Sequence, residues 1–310
     1  MAVTKEQIDL LLNPAVAKAF DDGRAGARDR AVRGGYTGNA PAMTSLSDIT
    51  GSVDGFTVEA FNMGAAGRVQ QSSPEEVLRK TWNAKPKYAE LKVDRDVVEA
   101  VIAGGPWPNS ITQNPRVMGR AYEMLLERVA ADAFNYGFTA SGSTALGFDS
   151  VGLFSNSHAI GQNTVDNLGT LTFTETNVGT AIEQLDSLQD AKGNIAGFRA
   201  DTLMVPTAYE AAAWVMANPA TAAPTSSFVA HRIRNVIVNP WLTDTNAWFV
   251  LDGAAAKEHL LFRVFGGDSL DEPGVESYID HSVRSVVWQM GRTFDFNWDD
   301  PRFVVGMNPS

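Results

Sequence analysis

The run from Asn114 to Tyr136 constrains this chain more than any other segment. Asn114 is a suitable helix cap, and Pro115 falls in the first turn, where its missing N–H costs nothing. Val117, Met118, Ala121, Tyr122, Leu125, Val129, Ala133 and Tyr136 recur at three- and four-residue steps, and Gly137 supplies the stop. On the other face Arg120/Glu123 and Arg128/Asp132 stand at pairing distance. At 1.5 Å per residue this predicts a rod of ~33 Å over about 115–136, the width of a small domain. The rest of the fold must be arranged around it.

Residues 1–53 read as an arm. A helix is expected from Thr4 through Ile8, Leu11 and Leu12, stopping at Asn13-Pro14. The following Gly- and Ala-rich stretch carries Arg24, Arg28, Arg30 and Arg33 against Asp29, a local +3. That pattern fits either a solvated linker or an arm that docks on a partner or polyanion. Residues 54–93 read as a long hairpin, with strands at Phe56–Phe61 and Tyr88–Val93 and a polar stretch between them. From Arg68 to Arg95 there are seven basic and four acidic residues, a net +3. Such a hairpin has little core of its own and should lie on another surface.

Residues 171–258 read as a separate α/β unit. It has capping boxes at Thr172/Glu175 and Thr207/Glu210, strands at Thr202–Val205, Val236–Val238 and Trp248–Leu251, and a surface loop over 217–227. From His259 onward the pattern is mostly β: Leu260–Phe265, Val275–Ile279, Val283–Met290, Phe294–Phe296 and Phe303–Val305. Residues 266–300 hold two basic and eight acidic residues, a net −6.

The search for chemistry returns little. With no cysteine in 310 residues, disulfides, thiolate metal sites and Cys nucleophiles are out. His158, His231, His259 and His281 lack metal-ligand spacing, so no metal or cofactor is expected. Ser155, Ser157 and His158 are adjacent loop residues with no G-x-S-x-G, and Asp299-Asp300 before Pro301 reads as a turn. No residue is assigned a catalytic role. The opening residues MAVTKEQIDLLLNP lack a signal-peptide pattern, and no apolar run reaches ~18 residues, so no membrane partner is expected. A net charge of −11 argues against a nucleic-acid reader held by overall charge. Elements that cannot bury themselves in a monomer point instead to assembly.

Four stretches carry a family resemblance: LFSNSHA (153–159), ADTLMVPTAYEAAAWVM (200–216), NVIVNPWLTDTNAWFVLD (235–252) and FDFNWDDPRFVVG (294–306). In order and spacing they resemble the Mu-type major head subunit family of tailed-phage capsid proteins. The likeness spans roughly residues 85–310; the first 85 match in layout more than in letters. It rests on Phe154 and His158, Val205-Pro206, Trp241-Leu-Thr-Asp244 with Trp248, and Asp300-Pro301-Arg302.

The resemblance implies an α+β capsid fold shared with encapsulins and herpesvirus capsid floors. Residues 1–53 become the N-terminal arm and 54–93 the extended E-loop. Residues 94–170 become the P domain with its spine helix, 171–258 the A domain, and 259–310 strands mainly completing the P domain. It implies a non-enzymatic subunit that forms pentamers and hexamers of an icosahedral shell around double-stranded DNA, with DNA contacts weak and non-specific. Portal and scaffolding proteins become partners, as does a decoration protein, in a virion assembled in the bacterial cytoplasm. An arm of 53 residues leaves no room for a cleaved scaffolding region, which implies a separate scaffold or none. An encapsulin-type cellular shell is the alternative of the same fold, and a soluble hydrolase using His158 or Asp299/Asp300 the alternative from another class. For assembly contacts, Arg79, Lys80, Lys85 and Lys87 on the hairpin are expected to face Asp268, Asp271, Glu272 and Glu276 of a neighbour.

Overall fold

A computed structural model of the chain describes residues 4–54, 75–139, 147–218, 228–266, 270 and 274–309. The arm opens with a capping box at Thr4 and Gln7 on α1 (Lys5–Gln7), widens into a π turn over Ile8–Leu12, and continues as α2 (Asn13–Arg28). Pro14 therefore does not stop the helix. It stands in the first turn of α2, the position where proline is tolerated. Ile8, Leu12, Val16 and Phe20 are buried, so this segment is neither a linker nor a free arm.

β1 (Gly38–Asn39) and β2 (Ser47–Asp54) follow, then β3 (Glu75–Asn83) and β4 (Lys85–Asp94). β2 pairs antiparallel with β3, Ser47 opposite Asn83 and Asp54 opposite Glu75. The hairpin thus starts earlier than the expected residue 54, and its return arm occupies residues expected as loop. The expected strand Phe56–Phe61 lies outside the described residues. Tyr88–Val93 belongs to β4, whose partner is a C-terminal strand and not the hairpin.

Next come α3 (Arg95–Ile102), α4 (Asn109–Thr112) and the long helix α5 (Asn114–Asn135). α5 has the expected length but a rotated buried face. Tyr122, Leu126, Ala130 and Phe134 turn inward with Glu123 and Glu127, whereas Val117 and Tyr136 are exposed. α2 lies along α5 at very close range. A Cβ on Gly119 would sit 2.0 Å from the Phe20 carbonyl oxygen, and one on Gly23 1.9 Å from that of Arg116.

The small strands β5 (His158–Ile160), β6 (Asn163–Val165) and β7 (Leu168–Gly169) lead to α6 (Glu175–Asp186), capped by Thr174, not Thr172. β8 (Thr202–Val205), α7 (Glu210–Ala217), α8 (Phe228–Arg232), β9 (Asn235–Val238) and β10 (Trp248–Leu251) complete this unit. Residues 219–227 of the expected surface loop lie outside the described residues. α9 (Gly253–His259) then leads into β11 (Leu260–Val264), β12 (Gly274–Asp280), β13 (Ser285–Trp298) and β14 (Val304–Met307).

Two five-stranded sheets organise these elements. One runs β1-β11-β13-β12 with β4 on the other edge of β13. The two strands expected at 283–290 and 294–296 are one strand of 14 residues. The other sheet runs β7-β14-β10-β8-β9. The C-terminal strand β14 therefore crosses over to join the 171–258 unit, where Val304 to Met307 pair with Leu251 to Trp248. Among the described residues no helix is long and apolar enough to cross a membrane.

Candidate assembly surfaces

The cations expected to make the arm basic are partly internal. Arg24 donates from Nε to Glu123 Oε1 at 2.9 Å and from Nη2 to the Leu270 carbonyl at 3.2 Å. Arg33 donates to Glu123 Oε2 at 2.8 Å and to Glu127 Oε1 at 2.9 Å, while the Val32 amide donates to Glu127 Oε2. Two buried carboxylates of α5 thus neutralise two arginines from the arm. Glu123 had read as the surface partner of Arg120; nothing in the local pattern signalled its burial. Arg28 and Arg30 remain exposed, Arg28 at 3.6 Å from Glu123. A polyanion would meet these two, not the expected cluster of four.

The hairpin is fastened at its base to the first sheet. The Asn83 amide donates to Asp295 Oδ2 at 2.8 Å, and Arg263 donates to Asp48 Oδ2 at 3.0 Å. The Arg263 guanidinium lies 5.3 Å from the Trp82 ring, whose Nε1 donates to Thr50 Oγ1 at 2.7 Å. Arg263 and Asp48 carried no sequence signal, since 215 residues separate them.

The four cations expected on the hairpin divide: Arg79 and Lys80 lie on β3, whereas Lys85 and Lys87 lie on β4, which pairs with β13 in the first sheet. Arg79 and Lys85 are exposed and Lys87 is half-buried, but Lys80 is 6% exposed and buried within the chain. Its ammonium lies 5.4 Å from the Trp298 ring. Burial pushes it down to about 8, against the pull of Asp295, Asp149 and Asp299. Burial likewise holds the Asp295 carboxyl above the usual carboxylate range. Lys80, Lys85, Lys87, Asp132 and Asp295 line one cleft of about 560 Å³ beside α5.

Of the expected acidic partners, Glu276 is exposed on β12, while Asp268, Asp271 and Glu272 lie outside the described residues. The net −6 over 266–300 also overstates the outward charge. Asp295 accepts from Asn83, Asp299 pairs with His259 at 2.9 Å, and Asp300 with Arg302 at 2.7 Å, all within the chain.

The residues that could suggest hydrolysis are structural. His158 is fully buried, its Nδ1 2.7 Å from Asp149 Oδ2 and its Nε2 3.1 Å from the Leu153 carbonyl, so neither nitrogen faces a serine. Ser155 contacts Ser157 instead. Asp300 is 2% exposed and accepts from the Arg302 amide, Nε and Nη2. The other signature residues are also structural. Phe154 stacks against both Phe138 and Phe249, which also stack on each other. Asn135 at the end of α5 grips the Trp241 carbonyl and the Thr243 amide.

What the surface shows instead is unpaired apolar area: Leu10, Leu46, Ile49, Trp107, Val117 and Val215 are all exposed. Such area, spread over the arm, hairpin, long helix and second unit, suits a subunit with several neighbours.

Comparison with known proteins agrees with this architecture. A family model described as phage capsid protein matches residues 95–306. No curated protein sequence matches. Among solved structures, a virus-like particle from Pyrococcus furiosus aligns with a TM-score of 0.52 at 9% identity, over 94% of this chain and 97% of its own. The mature capsid of bacteriophage PhiM1 gives 0.53 at 9% identity, over 90% and 87%. The procapsid of bacteriophage JBD30 gives 0.51 at 14%, over 99% and 77%. At these identities the likeness is one of fold.

Proposed function

This chain belongs to the phage capsid protein family, and from that premise we propose how its parts build a shell. It is a major capsid subunit that assembles with copies of itself into the icosahedral head of the virion. In our reading the copies form pentamers and hexamers around double-stranded DNA and meet portal and scaffolding proteins, with decoration proteins on the outside. Assembly takes place in the host cytoplasm, and the chain has no enzymatic role.

In this reading the arm is the segment ending near β2, and the E-loop is the β2–β3 hairpin with the residues between. The P domain comprises β1, β4, α3–α5 and β11–β13; the A domain comprises β7–β10, β14 and α6–α8. One chain can serve rings of different size because heterologous contacts close at the rotation their joints permit.

The observation that carries this reading is the hairpin itself. β2 and β3 form a two-stranded sheet of their own, with Leu46 and Ile49 exposed at its base. A lone two-stranded ribbon is marginal in water. It is stabilised by lying on a neighbouring subunit, with Arg79 of β3 and, at the hairpin's base, Lys85 of β4 toward the edge strand that carries Glu276. Opposed charge of this kind speeds docking and fixes register more than it adds affinity.

The test is the double variant Arg79→Glu/Lys85→Glu, which leaves the buried Lys80 in place. Light scattering should show assembly slowed about tenfold at low salt, with the difference closing at high salt as screening removes the steering. Assembly at the wild-type rate at low salt would refute the hairpin contact.

A further inference from the structure

Among the described residues β9 is the last strand of its sheet and pairs with β8 alone. The Asn235 and Asn239 amides point toward β8, donating to the Asp201 and Val205 carbonyls. By the two-residue alternation of a strand, the Val236 and Val238 amides point the other way, off the sheet edge. No group among the described residues accepts from them.

Beside this edge runs a groove of about 390 Å³. Trp214 and Ala217 of α7, Gly35, Lys257, and Val236 and Ile237 of β9 line it. Trp214 is 49% exposed and Val215 next to it 70%, so these apolar side chains are uncovered. A strand edge beside a groove with an exposed aromatic residue has the geometry that captures an extended peptide: the backbone supplies hydrogen bonds and the groove takes alternate side chains. The charge is also selective. Arg234 and Lys257 are both exposed and line the groove, and no carboxylate lines it, in a chain of net charge −11.

We propose that the open edge of β9 is completed in the shell by an extended, carboxylate-bearing segment of a second copy of this chain. The proposal rests on the capsid reading, which puts many copies of an acidic chain around each subunit. An uncovered apolar strand edge would otherwise invite uncontrolled pairing. A neighbour's strand seals it, and the two cations set which segment fits.

The test is hydrogen exchange on the purified full chain, comparing particles with unassembled subunits. Exchange of the Val236 and Val238 amides should slow at least about tenfold on assembly. Arg234→Glu/Lys257→Glu alters two exposed groups, so it should leave the unfolding curve of the free subunit unchanged and lower particle yield. Particles in which these amides exchange as fast as in free subunits would overturn the proposal and leave the capsid reading standing. Wild-type particle yield from the charge-reversed variant would overturn it too. If the wild-type chain forms no particles at all, both readings fail together.

Discussion

Glu123 shows how much a single charged residue contributes to holding this fold together. It is 1% exposed, and its two oxygens are divided between Arg24 and Arg33, arriving from opposite ends of the segment that follows Phe20. A buried carboxylate is retained only if its lone pairs are filled, and here the partners are charged donors at 2.8–2.9 Å. Removing the Glu123 charge takes from Arg24 a carboxylate at 2.9 Å and leaves Arg33 with one carboxylate in place of two. Glu123→Gln should therefore destabilise the unassembled subunit by about 3 kcal/mol in denaturant unfolding. The exposed pair Arg284–Asp96, with both side chains more than 70% accessible, provides the contrast. Asp96→Asn should fall within about 0.5 kcal/mol of wild type. A Glu123 variant as mild as the Asp96 one would mean that water solvates the arginines in place of the carboxylate.

The same network explains which elements were legible in the sequence. The strong period of α5 shows the helix but not which face is buried: Glu123 and Glu127 look like solvated residues, and the arginines that bury them lie 90 or more positions away. α2 was missed for a related reason. Its Gly- and Ala-rich stretch reads as a linker, yet one of its glycines, together with one on α5, permits the contact that folds it. Gly23 and Gly119 let the backbones of α2 and α5 touch, each facing a carbonyl at about 2 Å from where a Cβ would be. At the surface, the burial of Lys80 depends on Trp298 and Asp295 more than 200 residues away, and Lys85 and Lys87 fall on β4 and not on the hairpin, both beyond any local pattern. A sign change tests the helix contact. In an isolated helix Gly→Ala stabilises by ~1 kcal/mol. Gly119→Ala should instead destabilise by about 2 kcal/mol, because carbonyl and Cβ must separate and carry α2 with them. Thermal unfolding of the subunit measures it, and any gain in melting temperature would show that the two helices can part freely.

At the scale of the whole molecule, two of the chain's passages between its sheets run side by side. α9 ends at His259 and enters the first sheet as β11; β13 leaves that sheet at Trp298 and returns to the other as β14. The two crossings are tied side by side, the Asp299 amide donating to the His259 carbonyl at 3.2 Å and His259 Nδ1 to Asp299 Oδ1 at 2.9 Å. The imidazole also lies parallel to the Phe303 ring, at 6.3 Å. Any rotation of one unit against the other must shear this joint. Burial disfavours the charged imidazole, but the hydrogen bond to Asp299 and the charges of Asp300, Asp299 and Glu258 outweigh it and raise the His259 pKa. A histidine raised in the fold contributes stability that is full below its unfolded value of ~6.5 and is lost as pH rises through the higher folded value. The stability advantage of wild type over His259→Gln should therefore be largest near pH ~5.5 and shrink toward pH ~8.5. Denaturant unfolding of both chains across that range checks it, with Asp299→Asn expected to flatten the dependence. An advantage that stays constant with pH would mean that ring packing on Phe303, and not charge, holds the two units at this joint.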